Sequence, residues 1–173
     1  LSTHSRDIIY KGLLSDLSTY KIPKDKRSYY YDIGLMLSGP EPTRSHLEEC
    51  LTSLLKHLEH LQIFLVRGLP NEGTISLDLP DHIHVYNHLH GQELAAKLNK
   101  CRALICRSGY STLMDLLCLD INAVVIPTPG QTEQVYLAER MAKKSNYTML
   151  DQKDLSFEAL AKALQDLPAQ LSL

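Results

Sequence analysis

Two stretches of the chain hold the residue types that binding chemistry needs, and they repeat one device. Ala103-Leu-Ile-Cys106 runs into Arg107-Ser-Gly-Tyr-Ser-Thr112, and Ala123-Val-Val-Ile126 runs into Pro127-Thr-Pro-Gly-Gln-Thr-Glu-Gln134. In each, an apolar run meets a turn of small residues and then a polar helix start. A strand that turns into a helix in this way delivers unpaired backbone N–H groups at one spot, and the helix dipole adds about half a positive charge there. Such a spot suits a phosphate or the hydroxyls of a sugar. Two of them, from neighbouring strands of one sheet, suit a ligand with both.

In the first stretch Gly109 lets the backbone approach a ligand closely, and Arg107, Ser108, Tyr110, Ser111 and Thr112 surround it with donors. Asp115 lies four residues past Ser111 and three past Thr112, so the three share one helical face. A carboxylate there accepts both hydroxyls of a ribose; as a plain first-turn charge it would only stabilise the helix dipole. In the second stretch Pro127 and Pro129 fix a loop, and Gly130 keeps it open beside Gln131. Glu133 and Gln134 follow in the first helical turn. An ionised Glu only accepts, whereas Gln both donates and accepts, so the pair fits a hexose. The plainer reading is a rigid loop capped by Thr132.

Ser38-Gly39-Pro40 is a weaker candidate, either a diphosphate cradle or an ordinary strand-to-helix turn, since no G-x-G-x-x-G occurs. His82, His84, His88 and His90 cluster, but no cysteine or carboxylate at ligand spacing completes a metal site. No metal is therefore expected. The Asn87–Gly91 loop, with Leu89 at its centre, is placed for its backbone to meet a nucleobase. No D-x-D pair is present, so charge on a departing diphosphate would be met by helix N-termini and donors.

The elements that must position these groups alternate. Strands are expected at Asp7–Tyr10, Tyr29–Leu37, Ile63–Val66, His82–Tyr86, Arg102–Cys106, Ala123–Ile126 and Tyr147–Leu150. Helices are expected after Ser45, at Glu93–Asn99, Thr112–Leu119, Thr132–Lys144 and Ser156–Leu167. Ser45-His-Leu-Glu48 has the spacing of a capping box. Polar residues 18–28 read as a surface loop. The alternation predicts an α/β fold, a Rossmann-like parallel sheet with helices on both faces. Ligands of such sheets sit outside the carboxyl ends of the strands, where the turns after Leu37, Tyr86, Cys106 and Ile126 all lie.

With 173 residues, 44% of them hydrophobic, the chain is expected to form one domain over 1–173, an entry strand and loop in 1–28 and the core in 29–173. A net charge of −2 with no basic block argues against nucleic acid. Cys50, Cys101, Cys106 and Cys118 show no C-x-x-C spacing and read as buried free thiols of a reducing cytoplasm. No apolar run reaches the ~18 residues of a membrane span, and the polar start has no signal-peptide pattern. The chain begins without methionine, which suggests a domain of a longer protein.

The residues singled out above resemble the C-terminal, donor-binding domain of family 28 glycosyltransferases, the group that includes the bacterial MurG enzymes of peptidoglycan synthesis. Cys106 to Asp115 is similar to that family's R-[AS]-G-x-x-T-x-x-E segment, Pro127 to Ala138 to its segment ending in [HQ]-Q-x-x-N-A, and Ser38-Gly39 to its G-G-S turn. The likeness runs from about Ile8 to the last helix. It implies the C-terminal half of a GT-B fold that binds a UDP-sugar, with UDP-N-acetylglucosamine favoured, for transfer with inversion and without a bound metal. By the same resemblance Ser38 and Gly39 meet the diphosphate and the backbone near Leu89 reads uracil. Tyr110, Ser111 and Thr112 line the phosphates, Asp115 binds ribose, and Glu133 with Gln134 holds the sugar. The general base and the acceptor, a lipid-linked one at a membrane surface among the expectations, would belong to an N-terminal domain. The enzyme would be cytoplasmic, peripheral at the inner face of the plasma membrane through that domain. This chain alone would bind the donor without turnover.

Four positions depart from the family pattern: Asp115 replaces the usual Glu, Glu133 a Gln or His, Asp16 stands where an arginine is usual, and Tyr110 is bulky. A UDP-sugar epimerase, a donor subunit of a two-chain glycosyltransferase and a generic nucleotide-binding module are the rival readings.

Overall fold

The computed structural model describes residues 12–71, 77–169 and 171. The strand expected at Asp7–Tyr10 lies outside them. Six parallel strands form one sheet: β1 Tyr31–Met36, β2 Ile63–Val66, β3 Ile83–Tyr86, β4 Cys101–Cys106, β5 Ala123–Val125 and β6 Tyr147–Met149. Their order is β3-β2-β1-β4-β5-β6. Ile33 pairs with Ile63 on one side and with Ala103 on the other, so β1 is central and the winding reverses between β1 and β4. That reversal opens a crevice at the carboxyl ends of the two strands.

Five helices cover the sheet: α1 Thr43–Leu55, α2 Gly91–Asn99, α3 Tyr110–Leu119, α4 Thr132–Met141 and α5 Phe157–Gln165. The strand pleat sends alternate side chains to opposite faces. Ile33, Leu35, Ile63, Leu65, Ala103 and Ile105 pack against Leu47 and Leu51 of α1 and Leu160 and Leu164 of α5. Phe64, Val66, Leu104, Cys106 and Val125 face Leu98 of α2, Leu113 and Leu116 of α3, and Ala138 of α4. Gly34 makes room on this second face: a β-carbon there would stand 2.4 Å from the Phe64 ring and 2.8 Å from Leu104. The expected α/β architecture is present, with element ends shifted by one to three residues.

Three local expectations change. Residues 18–28 are not a simple loop. Ser15 caps a short 3-10 turn, Asp16–Tyr20, whose Leu17 is buried. Asn99 at the end of α2 donates to the Tyr20 carbonyl at 2.9 Å and accepts from the Ile22 N–H at 3.2 Å. Arg27 donates to the Leu119 and Asp120 carbonyls, and Lys24 pairs with Asp120 at 3.2 Å. The carbonyls at the end of α3 have no partner within the helix and favour cations, so the basic residues of this segment fasten there. Second, α1 starts at Thr43, not after Ser45. Glu48 turns inward between Arg44 and Arg67, and Glu41 accepts the Ser45 N–H at 3.2 Å. Third, Cys101 and Cys106 are buried, with burial raising both thiols to about 12, but Cys50 is exposed. All four cysteines are free.

Candidate functional site

Three of the helices that start along the carboxyl edge of the sheet are α2 after β3, α3 after β4 and α4 after β5. None has a side chain bonded across its cap: His90, Gly109 and Gln131 stand at the cap positions without such a bond. The last helix, α5, is by contrast capped by Ser156. The first-turn N–H groups of α2, α3 and α4 thus keep their capacity for an anion or a sugar oxygen.

A cleft of about 510 Å³ lies between the starts of α2 and α3. Leu14, Ser15 and Asp16 form one wall, Leu89, His90 and Leu94 another, and Tyr110, Ser111, Met114 and Asp115 the third. The structure therefore brings Leu89, Tyr110, Ser111 and Asp115 together. Tyr110 stands 59% exposed at the rim, next to apolar Leu14 at 68%. Among the described residues no lysine or arginine lines the cleft, whereas two carboxylates do.

Asp115 is half-buried, and its Oδ1 accepts from the Ser15 hydroxyl at 2.6 Å. Ser15 in turn accepts from the Leu17 N–H at 3.0 Å. Burial is the main cause that pushes the Asp115 carboxyl above its usual range; Ser15 opposes this and the neighbouring Asp16 charge adds to it. Sequence pattern offers no signal for Ser15, which meets Asp115 across a separation of 100 residues. Ser15→Ala removes both the turn's cap and the brace on Asp115. The expected loss of stability is about 1 kcal/mol, read as a fall of roughly 2–4 °C in Tm.

The second device sits beside the first. The Ser108 hydroxyl is fully buried and donates to the Gln134 carbonyl at 2.8 Å, which ties the start of α3 to the first turn of α4. The Gln134 side chain is engaged inside its own loop: Oε1 accepts the Thr128 N–H at 3.0 Å and Nε2 donates to Gln131 at 2.6 Å. It braces the loop. Glu133 and Gln131 are exposed, and Gly130 takes φ +82 at the loop's turn. These loop residues do not line the Asp115 cleft; Gly130, Gln131 and Tyr136 border a separate hollow on the far side of α4's start. Ser38 and Gly39 are exposed at the end of β1, with Gly39 at φ +110. Gly109 is extended, at φ −67, with open space where a β-carbon would be. Thr112 is half-buried within α3.

Arg107 differs most from expectation. Only 1% exposed, it donates to the carbonyls of Pro127 at 3.1 Å, Ile126 at 3.4 Å and Thr43 at 2.9 Å. Its reach is inward, so it clamps the β5 loop to the start of α1 rather than meeting a ligand from the cleft. It has no carboxylate partner among the described residues. Burial lowers its pKa.

Among the described residues no three His, Cys, Asp or Glu side chains are grouped to hold a metal. The expected histidine cluster is dispersed: His82 precedes β3, His84 meets Gln62 at 3.4 Å, and His88 and His90 stack at 5.4 Å. No helix among these residues is long and apolar enough to cross a membrane.

Residues 45–171 match the model of the glycosyltransferase family 28 C-terminal domain. The UDP-N-acetylglucosamine--N-acetylmuramyl-(pentapeptide) pyrophosphoryl-undecaprenol N-acetylglucosamine transferase of Sulfurihydrogenibium sp. is 25% identical over 134 residues, 76% of this chain and 37% of that protein. The transferase of the same name from Thiobacillus denitrificans is 34% identical over 74 residues, 42% of this chain and 20% of that protein. The chain thus spans about a third or less of these relatives. Among solved structures, Acinetobacter baumannii MurG superimposes with a TM-score of 0.62 at 18% identity, over 95% of this chain and 51% of that one. The glycotransferase of kitacinnamycin gives 0.64 at 17% identity, over 96% of this chain and 38% of that one. These likenesses show the GT-B type of fold. On the match over 45–171, the chain belongs to the glycosyltransferase family 28 C-terminal domain family.

Proposed function

We propose that this chain is the donor-binding domain of an inverting glycosyltransferase that takes a UDP-sugar, N-acetylglucosamine or a similar hexose being the transferred group. The observation that carries this reading is the Asp115 cleft, bordered by the uncapped starts of α2 and α3. A carboxylate four residues past Ser111 reaches ribose hydroxyls while the first turn of α3 meets the phosphates. Ser15 already donates to Asp115, so the ribose shares the carboxylate with it. Backbone groups near Leu89 read the base. Ser38 and Gly39 approach the diphosphate, and Glu133 is placed for sugar hydroxyls. Developing charge on the departing diphosphate is met by fixed N–H donors and needs no metal. The acceptor and the general base belong to an N-terminal domain, and the complete enzyme works on the cytoplasmic side, at a membrane surface when its acceptor is lipid-linked. That placement fits a role in cell-envelope glycan synthesis, the work of the relatives' named reaction.

Calorimetry of the 173-residue chain with UDP, GDP and coenzyme A tests the reading. Binding heat with UDP, weaker with GDP and unchanged by a chelator, is expected. No heat with UDP, or a preference for coenzyme A, overturns it.

A further inference from the structure

Thr128, the third residue past β5, is held more firmly than a loop residue needs. Its N–H donates to Gln134 Oε1 at 3.0 Å, and its carbonyl accepts the Gln131 N–H at 3.1 Å. The preceding Pro127 carbonyl is fixed by Arg107. Yet the Thr128 hydroxyl, in a residue only 2% exposed, has no hydrogen-bond partner among the described residues. A buried hydroxyl without a partner is a net cost that valine, of the same shape, would not incur.

The hydroxyl faces the Ser38–Gly39 turn: a β-carbon on Gly39 would lie 3.9 Å from Thr128 Oγ1. Gly39, at φ +110, is exposed and carries no side chain, so a bare backbone turn is what covers the hydroxyl on this side. Behind the loop lies the Arg107 guanidinium, 1% exposed and satisfied only by carbonyls, with Nε unpartnered. A buried cation without a carboxylate makes its surroundings favourable to an anion. An unpaired donor, a bare glycine turn over it and a positive charge with no carboxylate partner among the described residues thus meet over the ends of β1, β4 and β5.

We infer that the Thr128 hydroxyl is a donor-positioning group that hydrogen-bonds the phosphate distal to the nucleoside, with the Arg107 charge behind it and the bare Gly39 turn over it. This rests on the nucleotide-sugar reading and goes beyond it, because Thr128 lies outside the residues to which that reading gives a role. Thr128→Val removes the donor and keeps the shape; Thr128→Ser restores it. UMP and UDP are the probes, since they differ only in the distal phosphate.

Thr128→Val is expected to weaken UDP by about tenfold, to leave UMP unchanged, and to hold or raise the Tm of the unliganded protein. Thr128→Ser is expected to recover most of the UDP affinity. A loss of Tm with equal loss of both nucleotides would make Thr128 only a part of the loop and overturn the inference. So would wild-type UDP affinity in Thr128→Val. In either case wild-type protein that binds UDP leaves the donor-domain reading standing; wild-type protein that binds neither nucleotide sinks both.

Discussion

Asp115→Ala is expected to weaken UDP binding by about 1.5–3 kcal/mol, roughly 10- to 150-fold, as for hydrogen bonds to a charged group. The carboxylate lines the cleft at the carboxyl edge of the sheet, where it accepts a hydrogen bond from Ser15. Alanine leaves the ribose hydroxyls without an acceptor and frees Ser15. Asp115→Asn separates charge from shape: it keeps an oxygen for Ser15 and one ribose hydroxyl, so an intermediate loss is expected. The same variant reads the electrostatics. Burial raises the Asp115 pKa above its ordinary value, so the folded state holds the proton more tightly than the unfolded chain. The stability this lends is present below the ordinary carboxyl range and is lost as pH rises through the raised value. At neutral pH the wild-type site therefore carries the cost of an ionised, half-buried carboxylate. Asp115→Asn should be at least as stable as wild type near pH 7, and its advantage should shrink as pH falls through the carboxylate range. An unchanged UDP dissociation constant in Asp115→Ala would remove this residue from the site.

Glu48→Ala is expected to cost about 3–5 kcal/mol of folding stability, the range for removing one partner of a buried ion pair. Glu48 Oε2 bonds Arg44 at 2.8 Å and Arg67 Nη2 at 3.2 Å, and Oε1 bonds Arg67 Nε at 2.5 Å. All three residues are less than a tenth exposed. Alanine leaves two largely buried guanidiniums without the carboxylate between them, Arg44 keeping Glu41 at 2.6 Å. Against a typical total of about 5–15 kcal/mol, that removes a large share of the stability. Glu48→Gln, which keeps two of the acceptor contacts, should lose less. Denaturant unfolding would show a midpoint shifted down at unchanged slope; a shift below about 0.5 kcal/mol would mean that water reaches the cluster freely.

Much of the fold was legible because the signals that set it are local. Fully apolar Ile63–Val66 and Ala123–Val125 could only be buried strands of a covered sheet, and α5 kept its Leu160–Leu164 stripe. The two strand-turn-helix devices also announced themselves in composition, and they stand side by side, joined by Ser108 and Gln134. What stayed hidden was tertiary. Ser45 and Glu48 have capping-box spacing, but Arg67, 19 residues further on, claims Glu48. The polar run around Lys24 and Arg27 resembles solvated loop until the end of α3 supplies carbonyls for it. Arg107 has the type of a ligand-binding residue, yet burial turns it toward its own backbone. In each case residue type fixed the chemistry, and distant chain fixed its partner.

The central place of β1 also has a bearing on how the chain acquires its shape on the ribosome. β2 follows soon enough to cover one flank, but the other is matched only by β4, some seventy residues after β1. Until then a nascent chain carries a hydrophobic strand with a free edge, the kind of template on which neighbouring chains pair wrongly. Slow synthesis between residues 36 and 101 would lengthen that interval, so expression yield should respond to translation speed and to chaperone supply more than the finished domain's stability would suggest.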